Sequence, residues 1–197
     1  VRILRFGTVL AVALAFASAA RGQSSTFGVG ASGGLVDPAE REFKFSDFDR
    51  SDVNIWGQYA LEDHVILRAT LGRMHVAAHN AGQVVESGGE SFTVPDDLRD
   101  RIDYGLVATS YDFIEPAWTS GLFAGVGIYR VEPGVPAGDL AFAADEKETV
   151  FGFHFGADAQ LTLWRTLALL GRVTVHIPQT NPHRVLVTAD AGVSYRF

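Results

Sequence analysis

The sequence predicts an all-β protein, an eight-stranded antiparallel up-and-down transmembrane β-barrel behind an N-terminal signal peptide. Three observations carry that expectation. Apolar side chains recur at every second position over eight stretches of the chain, the period of a strand with unlike surroundings on its two faces. The connections between those stretches alternate long and short. After the N-terminus no stretch approaches the ~20 apolar residues of a spanning helix. A membrane-spanning form of this chain must therefore use closed strands, which satisfy every backbone polar group internally.

The 197 residues are 47% hydrophobic, enough for one folded domain, and contain 21 glycines and no cysteine. The missing cysteine excludes a disulfide framework, a thiolate metal site and a lipidated N-terminal cysteine. Residues 1–22 read as a secretory signal peptide. Arg2 and Arg5 precede an apolar run from Phe6 to Phe16, and small residues follow, with cleavage expected after Ala19 or Gly22. A membrane anchor is the competing reading, but the run is short for one. The barrel domain is then 23–197. Removing Arg2, Arg5 and Arg21 takes three positive charges from a net −7 and leaves about −10. So acidic an exported chain is a poor nucleic-acid binder.

The strands are expected, in order, at Ser25 to Val36, Val53 to Leu61, Val65 to Val76, Arg101 to Phe113, Gly121 to Val131, Thr149 to Leu161, Leu167 to Ile177 and Val185 to Phe197. In the first, Gly28, Gly30, Ser32 and Gly34 share a face. The second sets Val53, Ile55, Gly57, Tyr59 and Leu61 against Asn54, Trp56, Gln58 and Ala60. The sixth sets Phe151, Phe153 and Phe155 against Gly152, His154, Gly156, Asp158 and Gln160. In the seventh, Leu169, Val173, Val175 and Ile177 oppose Arg172, Thr174 and His176. The last, "ADAGVSYRF", alternates through Ala189, Ala191, Val193, Tyr195 and Phe197. The fourth and fifth strands do not declare their faces, because "GLFAGVGIYRV" is apolar on both.

Long polar connections run from Asp37 to Asp52, Ala77 to Asp100 and Glu132 to Glu148; short ones are Glu62 to His64, Ile114 to Ser120 and Thr162 to Thr166, with a medium one from Pro178 to Arg184. In a meander alternate connections share an end, so one end is trimmed and the other elaborated, as in bacterial outer-membrane barrels. An eight-stranded interior is just wide enough for side chains to fill. Small or hydrogen-bonding residues alternate here with large apolar ones, so the apolar face is assigned to lipid and the polar face to the lumen. Tyr195, Phe197, Phe113, Trp118 and Trp164 gather near strand ends, as rings at a lipid and water boundary do. Trp56 is assigned to the interior.

The ending Tyr195-Arg196-Phe197 resembles the C-terminal strand of Gram-negative outer-membrane barrels. "YGLVATSYDF" followed by "LFAGVGIYR" resembles paired strands of the small OmpA/OmpX-like barrel family. The resemblance implies a cell-envelope address in the outer membrane, with lipid, lipopolysaccharide and the barrel-assembly machinery as partners. It also implies that Tyr195 and Phe197 serve as the insertion signal.

The inward polar set is Arg68, His154, Asp158, Arg172, His176 and Asp190. Pairing Ile177 with Val185 puts Arg172 opposite Asp190, an expected ion pair. A partnered, plugged interior is favoured over an ion path. The segment "VHIPQTNPH", with His176, Thr180 and His183, departs from the His-x-Ser pattern of outer-membrane lipid A deacylases at Pro178, so no catalytic site is expected. The long connections are acidic, with Glu40, Glu42, Asp47, Asp96, Asp139 and Asp145 among others. They match no EF-hand spacing, and no metal or cofactor is expected. The expected function is a structural or surface-interaction role, with a surface partner for the loops; a narrow porin-like channel is the alternative, followed by a lipid A-modifying enzyme.

Overall fold

The computed structural model describes residues 27–38, 51–79, 82, 84–87, 90–93, 98–114, 118–134, 147–180 and 184–197. The signal peptide and most acidic loop residues lie outside them. The strands are β1 (Phe27–Pro38), β2 (Ser51–Ala60), β3 (Val65–His79), β4 (Val84–Ser87), β5 (Glu90–Thr93), β6 (Leu98–Ile114), β7 (Trp118–Glu132), β8 (Glu148–Thr162), β9 (Leu167–Pro178) and β10 (Leu186–Arg196). Eight of them close into one antiparallel barrel in the order β1-β10-β9-β8-β7-β6-β3-β2. Closure between first and last strands runs from Gly28 opposite Arg196 to Pro38 opposite Leu186. All eight expected strands are present, in up-and-down order.

Two features differ from the sequence reading. The connection between the third and fourth barrel strands carries a hairpin, in which β4 pairs with β5 from Val84 opposite Thr93 to Ser87 opposite Glu90. Several strands also run past their expected ends. Ser51 and Asp52 pair with Leu35 and Gly34, and Asp100 pairs with Val76. Backbone pairing continues as long as a partner strand is available, whatever the polarity of the side chains.

Burial is inverted relative to a water-soluble barrel. Val53, Leu122, Ile128, Phe153 and Val173 point outward and are about half exposed or more, while Arg68, Asp158 and Arg172 point inward at 6% exposure or less. The pattern alternates along the barrel strands; β7, for example, buries Phe123, Gly127, Tyr129 and Val131 and exposes Leu122, Ala124, Val126, Ile128 and Arg130. That resolves the strand whose faces the sequence left open. A ring of exposed aromatics, Phe113, Trp118, Trp164, Tyr195 and Phe197, marks the short-turn end, where Phe197 also packs against Phe27 and Tyr195.

The interior is not polar throughout. Toward the long-connection end Val36, Met74, Val76, Ile102, Val131 and Leu186 form an apolar cluster with Tyr104, Leu106 and Tyr129. A lumen filled by polar side chains is the expectation from the sequence, and this apolar cluster departs from it. Alternation identifies which residues point inward, but not how deep they sit.

Candidate functional site

The polar lumen is organised around one carboxylate. Arg68 Nη1 donates to Asp158 Oδ2 at 2.5 Å, with side chains 3% and 1% exposed, and its Nη2 donates to Gln58 Oε1 at 3.2 Å. Arg172 Nε lies 3.7 Å from the same Asp158 oxygen. Both guanidiniums sit over aromatic faces: Arg68 lies 5.2 Å and Arg172 5.4 Å from the Trp56 ring centroid, and each lies 5.8 Å from Phe123. Cation–π attraction thus supplements a single anion shared by two cations. Gly30 makes room for Trp56, because a Cβ there would lie 2.2 Å from Trp56 Cζ2.

The barrel register sets Arg172 opposite Asp190, as expected, but also opposite Asp158 on the other side. Its ion contact is with Asp158, not Asp190. The hairpin argument considered one neighbouring strand, whereas a closed barrel gives every strand two. Asp190 instead accepts from Thr188 Oγ1 at 3.4 Å.

Above this level Asp52 accepts from the Tyr104 hydroxyl at 2.9 Å and from Asn54 Nδ2 at 2.7 Å, and Asn54 Oδ1 accepts from Ser32 at 2.8 Å. His176 is held between Tyr129 Oη at 3.1 Å and Thr188 Oγ1 at 3.4 Å. Its ring stacks on His154 with centroids 6.3 Å apart. It is a buried lumen residue, 2% exposed. Toward the short turns Gln160 Oε1 accepts from Ser194 at 3.3 Å and Arg196 at 3.2 Å, and Ser110 donates to Asp112.

Five of the six sequence-derived lumen residues, Arg68, His154, Arg172, His176 and Asp190, line a cavity of ≈ 20 Å³; Asp158 lies just outside it. His154 Nδ1, Arg172 Nη2 and Asp190 Oδ1 find no protein hydrogen-bond partner. The space is about that of one water, which such polar groups can hold. The sequence reading missed Asp52 and Tyr104. The sequence places Asp52 at the end of a long polar connection, yet it falls in phase with Asn54 and Trp56, and that phase is the available signal. Among the described residues no group of three or more His, Asp or Glu is arranged to hold a metal ion.

The fold and the lipid-facing exterior define the class: a closed eight-stranded transmembrane β-barrel of the bacterial outer-membrane type. Solved structures with this architecture include a major outer membrane protein from Thermus thermophilus, at 14% identity and TM-score 0.62, covering 89% of this chain and 100% of that one. Neisserial surface protein A aligns at 15% identity and TM-score 0.58, covering 87% and 97%. Ail, the attachment invasion locus protein of Yersinia pestis, aligns at 12% identity and TM-score 0.53, covering 88% and 97%. No protein-family model matches the sequence, and no curated protein does. At these identities the likeness is one of fold, and it agrees with the OmpA/OmpX-like resemblance of the sequence.

Proposed function

We propose that this protein is a plugged outer-membrane barrel with a structural or surface-interaction role, its long connections facing outward and both strand termini facing the periplasm. One observation carries the reading. The interior is filled by the Arg68–Asp158–Arg172 group below and by the apolar cluster around Met74, Ile102 and Leu186 above, with a ≈ 20 Å³ cavity between. A continuous water path would have to pass the packed side chains of the apolar cluster, whose Val, Met, Ile and Leu members offer an ion nothing in place of its hydration shell.

Tyr195 and Phe197 are exposed at the closing seam, and the Phe197 N–H donates to the Phe27 carbonyl at 2.9 Å. That position suits an insertion signal read by the barrel-assembly machinery. His176 is engaged by Tyr129 and Thr188 and stacks on His154, which favours a structural over a catalytic use.

Planar bilayers containing the purified barrel test the proposal. No steady conductance is expected, and a Met74→Ser/Ile102→Ser variant should begin to pass current. Steady single-channel conductance from the unaltered protein would instead establish the narrow-channel alternative.

A further inference from the structure

At the long-connection end one side-chain pair reaches across the mouth of the barrel. Asp100 lies near the start of β6, and Arg184 stands two residues before β10. In the barrel order β6 and β10 are diametrically opposite, with three strands between them on either side. Arg184 Nη1 nevertheless donates to Asp100 Oδ2 at 2.5 Å. The other carboxylate oxygen accepts from the Gly134 N–H at 3.0 Å, on the chain leaving β7. A Cβ on Gly134 would lie 2.4 Å from the Arg99 carbonyl oxygen, so a glycine is needed for the backbone to rest on β6 at this point. One carboxylate thus ties β6 to the chain after β7 and to the chain before β10.

The pair sits directly above the apolar cluster. Ile102 and Leu186 follow Asp100 and Arg184 by two residues, in phase with them and one step farther from the mouth, and both are 0% exposed members of that cluster. Val76, the register neighbour of Asp100 on β3, belongs to it too. The Asp100 side chain is 5% exposed and that of Arg184 34%, so the carboxylate is sealed in and the guanidinium reaches it from the water side. Apolar packing is non-directional and gives little resistance to sliding. A charge-assisted hydrogen bond is short and directional, and it fixes how far the two walls can part at this level.

We propose that the Asp100–Arg184 bridge is a latch that holds the apolar plug shut against water from the long-connection side. The inference rests on the plugged-barrel reading above and adds what keeps the plug seated. It couples the outer connections to the lumen: drawing Arg184 away from Asp100 loosens the seal without altering any residue below it.

The test is thiol labelling of Thr70→Cys, an inward position on the cavity below the cluster, in vesicles that carry the barrel with its long connections outward. A membrane-impermeant methanethiosulfonate is added outside only. Labelling should be slow in the otherwise unaltered barrel, because it follows the population of a local opening. Arg184→Gln should speed it about tenfold, the opening expected when a partly screened, charge-assisted hydrogen bond is lost. Arg184→Lys, which keeps a cation there, should restore at least half of the protection. Ser194→Ala removes a hydrogen bond to Gln160 at the opposite end and should leave the rate unchanged. Thr174→Cys, also on the cavity, serves as the reporter if Thr70→Cys does not fold. Equal rates with and without Arg184→Gln, or the same acceleration by Ser194→Ala, would overturn the latch while leaving the plug intact. Fast labelling in the unaltered background would instead defeat the plugged-barrel reading itself.

Discussion

Replacing Asp158 by alanine removes the one anion that contacts both Arg68 and Arg172. Those guanidiniums belong to residues only 3% and 6% exposed, so neither can regain water without opening the barrel. A unit charge pair near 4 Å is worth about 4 kcal/mol at an effective dielectric of 20, and breaking a buried pair from one side costs about 3–5 kcal/mol. The Trp56 and Phe123 faces stay in place and hold back about 1 kcal/mol of that loss. Asp158→Ala should therefore lower stability by about 3 kcal/mol, read from urea unfolding in lipid vesicles by tryptophan fluorescence. Arg68→Met/Asp158→Met, which removes charge from both partners, should recover at least half the loss. A single-variant loss under about 1 kcal/mol, or a double variant as unstable as the single, would refute the claim that an isolated buried charge causes the effect.

Gly72→Ala should cost about 1–3 kcal/mol, because its Cβ would stand 2.2 Å from Tyr104 Cζ and displace the ring that donates to Asp52. The same change in a Tyr104→Phe background should cost clearly less than the sum of the two, since both remove one hydrogen bond; additive losses in the unfolding assay would contradict this. Asp100→Asn should cost about 1–2 kcal/mol in that assay. The buried Asp100 carboxylate accepts from the Gly134 N–H at 3.0 Å and from Arg184 at 2.5 Å, but Arg184 is one-third exposed and the charge part is screened. A loss above about 4 kcal/mol would mean that Arg184 is effectively buried.

The architecture was legible because alternation is local. Phe151, Phe153 and Phe155 against His154 and Asp158 fix a strand and its two faces without knowledge of any neighbour. The short turns at Glu62 to His64 and Thr162 to Thr166 fix the meander. What depends on closure was not legible. Arg172 has a carboxylate in register on each side, and only the assembled barrel decides that Asp158 makes the contact. Depth was hidden too: Met74, Ile102 and Leu186 look like any other apolar residues until their shared level makes them a plug. Asp52 is hidden because a carboxylate beside a polar connection looks like part of it, although its phase is that of Asn54 and Trp56. The hairpin of β4 and β5 is only four residues per strand, too short for alternation to stand out.

The claim on which the rest stands is that hydrocarbon wets the outside of the cylinder and the polar network is sealed within. Quenching of a fluorophore by bromines placed midway along the acyl chains measures this directly, with single-cysteine labels at the outward Val107, Phe153 and Val173 and at the inward Thr70 and Thr174. Strong quenching at the first three and little at the last two is the expected result. Quenching at Thr70 and Thr174 with none at Phe153 would contradict it.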